Sequence, residues 1–180
     1  KNHQIMKNGE ELFGHTSSTQ SAIIVPKPGS YEIYYIFTAD ADFYVGGNSK
    51  GIHYSTVDMS KENGLGEVVR KNVFILKTRS EKMTAVIHKN NEDIWVICQD
   101  TENKNFSAFL VTKQGVNLVP ITSNCTLFLE TYQIGNIKVS NDSKKLAVTH
   151  FFDNNGLNLY NFDNLSGLIT NEIVLFLPRE

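Results

Sequence analysis

Short runs of β-forming residues, four to each repeat of about 50 residues, constrain the fold of this chain more than any other feature. Valine, isoleucine, tyrosine, phenylalanine and threonine fill the runs, and glycine, asparagine, aspartate and serine separate them, as is typical of strands and turns. Helical periodicity is absent over almost the whole length. The predicted strands are Ala22–Val25, Glu32–Thr38, Ile52–Asp58, Val68–Leu76, Thr84–His88, Asp93–Cys98, Ser107–Thr112, Val116–Thr122, Gly135–Val139, Lys145–Thr149, Leu157–Phe162 and Leu168–Leu175. The pattern predicts an all-β chain.

The strands fall into three groups of four that follow the same order. The third strands begin near Ile52, Phe106 and Leu157, which are 54 and 51 residues apart. A glycine lies in each turn between the third and fourth strands, at Gly66, Gly115 and Gly167. A repeat of this length with four strands is typical of a β-propeller blade. The alternative is a β-sandwich in which the spacing is coincidental.

We therefore predict one β-propeller-like domain of about three four-stranded antiparallel blades, at residues 17–80, 81–130 and 131–180. Residues 1–16 are predicted to be the remnant of a further blade, because His3-Gln4-Ile5-Met6 looks like a closing strand. Radial closure needs at least four blades. The expected partners are thus the remaining blades of a longer chain, of which this is a fragment, or a second copy.

Composition excludes several classes of protein. An apolar fraction of 41% with a net charge of -2 excludes bulk disorder. No apolar run approaches the roughly 20 residues that a membrane span needs, so no membrane insertion is expected. The 17 basic and 19 acidic residues leave no positive excess for a nucleic-acid partner. Cys98 and Cys125 lack metal spacing; two separate buried thiols are favoured, and a disulfide between them stays open.

The sequence contains no catalytic motif. No histidine pair has metal-ligand spacing, and neither Gly-x-Ser-x-Gly nor His-Glu-x-x-His occurs. No Asp/Glu/His set is evident at equivalent blade positions, which favours a protein without catalytic residues, enzymatic activity or cofactor. The candidate ligand-binding residues are Gln20, Thr84 and His88; His88 ends an inner strand beside Thr84, near one mouth of the expected channel.

No metal is predicted. Asp40 and Asp42, followed by Gly46-Gly47-Asn48, resemble half of a calcium loop. The glutamate of such a loop is missing, because Gly51 occupies its position. These aspartates are the only metal candidates, and a long polar loop accounts for them.

Two segments carry a family resemblance. Residues 137–148 resemble the first two strands of WD40-like and YVTN-like blades, whose hairpin usually reads Ser-Pro-Asp-Gly-Lys; Asn141 replaces the proline and Ser143 the glycine. Residues 159–163 with Ser166-Gly167 look like the third strand and the Asp-x-x-x-Gly turn of those blades.

A second resemblance covers nearly the whole chain. Residues 2–6, 17–22, 25–29, 34–38, 54–59 and 81–88 are similar to propeller-like N-terminal regions of large Bacteroidota surface proteins, gliding-motility-associated or carrying a type nine secretion sorting domain. This resemblance implies an extracellular or cell-surface protein that serves recognition or scaffolding of protein or glycan. The alternative is a propeller hydrolase or lyase with a channel-lined active site.

Overall fold

A computed structural model describes residues 3–41, 49–124, 134–150 and 156–175. These ranges contain one 3₁₀ turn, at Glu62–Gly64, and no α-helix; no helix among them is long and apolar enough to cross a membrane. The strands are β1 (Ala22–Pro26), β2 (Ile33–Ala39), β3 (Ile52–Asp58), β4 (Glu67–Leu76), β5 (Met83–Ile87), β6 (Ile94–Asp100), β7 (Asn105–Thr112), β8 (Gly115–Val116), β9 (Ile121–Asn124), β10 (Ile137–Val139), β11 (Lys145–Thr149), β12 (Leu157–Phe162) and β13 (Ile169–Leu175).

The strands form three antiparallel sheets in chain order. The first sheet is β1-β2-β3-β4, the third is β10-β11-β12-β13, and the second begins β5-β6-β7. Within each sheet the first three strands pair in chain order, as in a propeller blade. The prediction of an all-β, propeller-like chain with about three antiparallel blades is confirmed.

The fourth strand of the second blade differs from the prediction. The sequence predicts one strand over Val116–Thr122, whereas the structure has two short strands, β8 and β9, that both pair with β7. Asn117 N donates to Leu110 O at 2.9 Å between them, and Pro120, which has no N–H to donate, immediately precedes β9.

The sheets stack face to face, with the second sheet in the middle. Along β6, Val96 and Cys98 pack against the first sheet, and Trp95 and Ile97 pack against the third. Every residue of β6 is buried because both faces of this strand are covered. Three sheets stacked in chain order exclude the two-sheet sandwich considered above.

The N-terminal segment follows the outer edge of the first sheet. Lys7 forms a parallel bridge with Glu67 of β4, and Asn8 Nδ2 donates to Val68 O at 2.6 Å. Further along, Asn72 Nδ2 donates to Glu11 O at 2.9 Å. Lys7 is the one bridged residue among the described residues before β1; residues 3–6, predicted to close an upstream blade, are not in a strand.

The first strands of the blades, β1, β5 and β10, are neighbours, since β5 contacts both others. This arrangement makes them the innermost strands. We call the end at which they begin, and at which β2, β6 and β11 end, the polar face. The opposite end, which carries the turns at residues 27–32, 88–93 and 140–144, is the hairpin face.

Candidate functional site

An ionisable side chain occurs at the same position of each blade on the polar face. Strand pairing aligns Thr38, Cys98 and Val148, because each lies opposite the first residue of its innermost strand. Two residues further along, the aligned positions hold Asp40, Asp100 and His150. All three are buried, with 7%, 3% and 7% of their surface exposed.

The two aspartates of this set hold the loops between second and third strands. Asp40 accepts hydrogen bonds from Ala41 N at 3.0 Å and Lys50 N at 2.9 Å. Asp100 Oδ1 accepts from Glu102 N at 3.0 Å, and Asn103 contributes two further bonds to this carboxylate. Each carboxylate is thereby fixed in place at the end of its strand.

His150, in the third blade, is joined to a fully buried lysine. Lys82 directly precedes β5, and its Nζ lies 3.1 Å from His150 Nδ1 and 3.1 Å from Gln99 Oε1. Because an ammonium group only donates, a charged Lys82 requires that Nδ1 accept and that a neutral imidazole carry its proton on Nε2, which is a buried atom. Ser80 Oγ also donates to Gln99 Oε1, whereas Gln99 Nε2 is a buried donor with no partner among the described residues.

Glu81, which precedes Lys82 along the chain, is also buried and contacts an exposed residue. Its side chain is 1% exposed, and Oε2 accepts from Thr19 N at 2.7 Å and from Thr19 Oγ1 at 3.0 Å. Thr19 is exposed and its Oγ1 also lies 2.8 Å from Gly135 O. The segments that lead into all three innermost strands therefore meet at Thr19, which contacts both Glu81 and Gly135.

Burying these groups costs free energy. Removing one ion from water costs several kcal/mol even after relaxation, and apolar side chains of similar volume often serve stability as well or better. Buried ionisable clusters are therefore typical of functional sites. We call Glu81, Lys82, Gln99 and His150 the polar-face cluster.

The candidate residues chosen from the sequence divide between the two faces. Thr84 and His88 both line an open cleft that runs along β5 and β10 to the hairpin face. Gln20 lies before β1, outside this cleft, and its Nε2 donates to Ala22 O at 3.2 Å. The structure thus places Thr84 and His88 in the lining of one cleft and Gln20 outside it.

The metal and cysteine candidates that the structure describes do not lie in a cluster of potential metal ligands. Asp40 is engaged by its own loop, as described above, and Asp42 lies outside the described residues. Within residues 3–41, 49–124, 134–150 and 156–175, no group of three His, Cys, Asp or Glu side chains could hold a metal ion. Cys98 is a buried free thiol, and Cys125 lies outside the described ranges.

Comparison with known proteins supports the fold only. No family model and no curated protein matches the chain. An α-L-arabinofuranosidase from Clostridium thermocellum is 11% identical, with a TM-score of 0.48 over 91% of this chain and 59% of its own. The β-propeller domain of the Trilobed protease from Pyrococcus furiosus is 13% identical, with a TM-score of 0.35 over 84% of this chain and 42% of its own. At these identities neither similarity identifies a shared activity.

The prediction that the protein is not an enzyme is wrong. A glycosidase is among the similar structures. The argument from sequence for this prediction also rested on an observation that the structure contradicts. That argument rested on the lack of an Asp/Glu/His set at equivalent positions, yet strand pairing places Asp40, Asp100 and His150 at such positions. Aligning the ends of the second strands would have revealed the set. No signal of local spacing would have revealed Lys82 or Gln99, because their environment arises from sheet stacking.

Proposed function

We propose that this chain is part of a β-propeller hydrolase or lyase whose active site lies on the polar face. The observation that supports this proposal is the polar-face cluster, in which Glu81, Lys82 and His150 are all buried where the innermost strands begin and Lys82 contacts His150. The aligned carboxylates of Asp40 and Asp100 add fixed negative charge at the same end of the other two blades.

The cluster contains a candidate general base and a candidate general acid for hydrolysis of a glycosidic bond. The Glu81 carboxylate accepts a proton from the attacking water, while His150 donates its Nε2 proton to the leaving oxygen as the carbon–oxygen bond breaks. The Lys82 ammonium passes a proton to Nδ1 of His150 in the same step, so the imidazole stays neutral. Return of one proton from Glu81 through solvent to His150 Nε2, with the Nδ1 proton passing back to Lys82, restores the starting state. In a lyase, Glu81 would instead remove a proton from carbon.

Substrate reaches the cluster past Thr19, which separates Glu81 from solvent. Glycan is the preferred substrate class, because the polar groups at this face suit the recognition of hydroxyl groups. Protein is the other partner class predicted from the sequence. The extracellular or cell-surface location stays a prediction from the family resemblance.

The proposal is tested by release of reducing sugar from a panel of polysaccharides and of nitrophenol from aryl glycosides. Glu81→Gln is expected to lower the rate by about 100-fold, since acid–base catalysis contributes roughly 10²–10⁴-fold. Asp142→Asn is the matched control, because Asp142 is an exposed carboxylate on the hairpin face. Circular dichroism confirms that both variants fold.

Two outcomes would overturn the proposal. One is the absence of product from every substrate of the panel with the wild-type chain. The other is equal activity of Glu81→Gln and Asp142→Asn, which would show that any turnover arises outside the polar-face cluster.

A further inference from the structure

The hairpin face carries a second cleft that the proposed function does not use. It has a volume of about 620 Å³ and lies between the innermost strands of the second and third blades. This volume is within the range of roughly 300–1,000 Å³ that is usual for small-molecule sites. Val86 of β5 and Val139 of β10 form part of its apolar lining, and we call it the hairpin-face cleft.

One wall of the cleft is held rigidly. His88 Nδ1 accepts from Asn90 N at 3.0 Å, and its Nε2 lies 3.1 Å from Leu165 O in the neighbouring blade. Asn164 Nδ2 donates to Ile87 O at 2.9 Å. Trp95 Nε1 donates to Asn164 O at 3.0 Å. These bonds join the two blades along this wall of the cleft. Because the wall is already ordered, ligand binding costs little free energy for ordering its side chains.

The charges that line the cleft favour an anion. Lys89 from the second blade and Lys138 from the third both line it, and both are exposed. Asp142 is the one carboxylate of the lining, and it is engaged by its own turn through Ser140 Oγ at 2.6 Å and Lys144 N at 3.1 Å. The two ammonium groups are therefore the positive charges of the lining that face a ligand, although Lys89 also interacts with the carboxylate of Asp163 outside the lining.

The rest of the rim favours hydroxyl groups. Asn91, Asn141 and Ser143 line the cleft and are side chains that both donate and accept hydrogen bonds. We infer that the hairpin-face cleft binds a sugar acid, with the carboxylate between Lys89 and Lys138 and the hydroxyls against these amides and hydroxyls. This site is independent of the polar-face cluster and of any activity there.

The test uses the only tryptophan of the chain, Trp95, whose ring lies 5.5 Å from that of His88. Galacturonate, galactose and inorganic phosphate are titrated separately at low ionic strength while tryptophan emission is recorded. Galacturonate is expected to give a saturable change, at an affinity at least tenfold above that of galactose, and the affinity should fall with added salt because the lysines are exposed.

Substitution of the lysines locates the site. Lys89→Gln and Lys138→Gln are each expected to weaken galacturonate binding about fivefold, as for loss of one exposed charge interaction. Lys61→Gln, an exposed lysine of the first blade, should leave the affinity unchanged. Urea unfolding of each variant checks that the fold is intact.

Three results would overturn the inference: no saturable change with galacturonate, equal affinity for galactose, or equal weakening by Lys61→Gln. Phosphate binding as tightly as galacturonate, with the same dependence on Lys89 and Lys138, would show a simple anion site and would overturn the assignment to a sugar acid.

Discussion

Gly167 lies against the six-membered ring of Trp95, and a methyl group at this position would collide with the ring. A Cβ there would be 2.8, 3.0 and 3.1 Å from Cη2, Cζ2 and Cζ3 of Trp95. The ring is 4% exposed and is held by its bond to Asn164 O, so it has little room to withdraw. We expect Gly167→Ala to destabilise the contact between the second and third blades.

The magnitude has two parts, and a second glycine separates them. The φ of Gly167 is +79°, where an L-residue costs about 1–2 kcal/mol. Overpacking of a well-packed site costs about 1–3 kcal/mol more. Gly64 has a φ of +82° with nothing within 4 Å of the position of a Cβ, so Gly64→Ala carries the backbone cost alone. Gly167→Ala should therefore lower the free energy of unfolding by about 1–3 kcal/mol more than Gly64→Ala.

The assay is equilibrium unfolding in urea, followed by tryptophan emission and by far-ultraviolet circular dichroism. Trp95→Phe should recover part of the loss caused by Gly167→Ala, because the smaller ring leaves space for the methyl group; the double-mutant cycle measures this coupling by circular dichroism. Equal destabilisation by Gly167→Ala and Gly64→Ala, or a coupling of zero, would refute the steric argument.

Three further predictions concern titration, reactivity and association. Burial lowers the pKa of His53 below its unfolded value, so the free energy of unfolding should decrease as the pH falls below about 6.5. In urea titrations from pH 8 to 5, His53→Leu should flatten this dependence. An unchanged slope of the free energy against pH would contradict the prediction. Burial raises the pKa of the Cys98 thiol far above its ordinary value, so iodoacetamide at pH 8 should modify this thiol only under denaturing conditions. Mass spectrometry measures the modification. Rapid labelling of Cys98 in the native chain would contradict the prediction. Ile24 is 69% exposed on the first sheet and should support self-association. Ile24→Asp should therefore lower the sedimentation coefficient at high protein concentration, while Leu118→Asp should not. A wild-type chain that sediments as a monomer at all concentrations would contradict this prediction.

Several strands could be predicted at both ends from the sequence. Ile52–Asp58, Lys145–Thr149 and Leu157–Phe162 have the predicted bounds, because residues typical of strands fill these runs and turn residues flank them. The Asp-x-x-x-Gly turn is also as predicted: Gly167 N donates to Asp163 O at 2.8 Å, and Ser166 Oγ donates to Asp163 Oδ2 at 2.6 Å. Both features depend on neighbours along the chain.

The interruption between β8 and β9 shows where such local patterns fail. Residues 116–122 have the composition of one strand, but only part of this run pairs with β7. Pairing depends on which N–H and C=O groups the neighbouring strand offers, and alternation within the run itself carries no information about them.

The sequence by itself determined that the chain is all-β, that its strands come in groups of four and where most turns lie, since alternation and turn chemistry act over a few residues. Only the tertiary structure decided which polar residues meet. Thr19 contacts Glu81, which is 62 residues away, and Lys82 contacts His150, which is 68 residues away. The physical reason is that the stacking and register of the sheets set these distances, so neither cluster nor cleft appears as a spacing in the sequence.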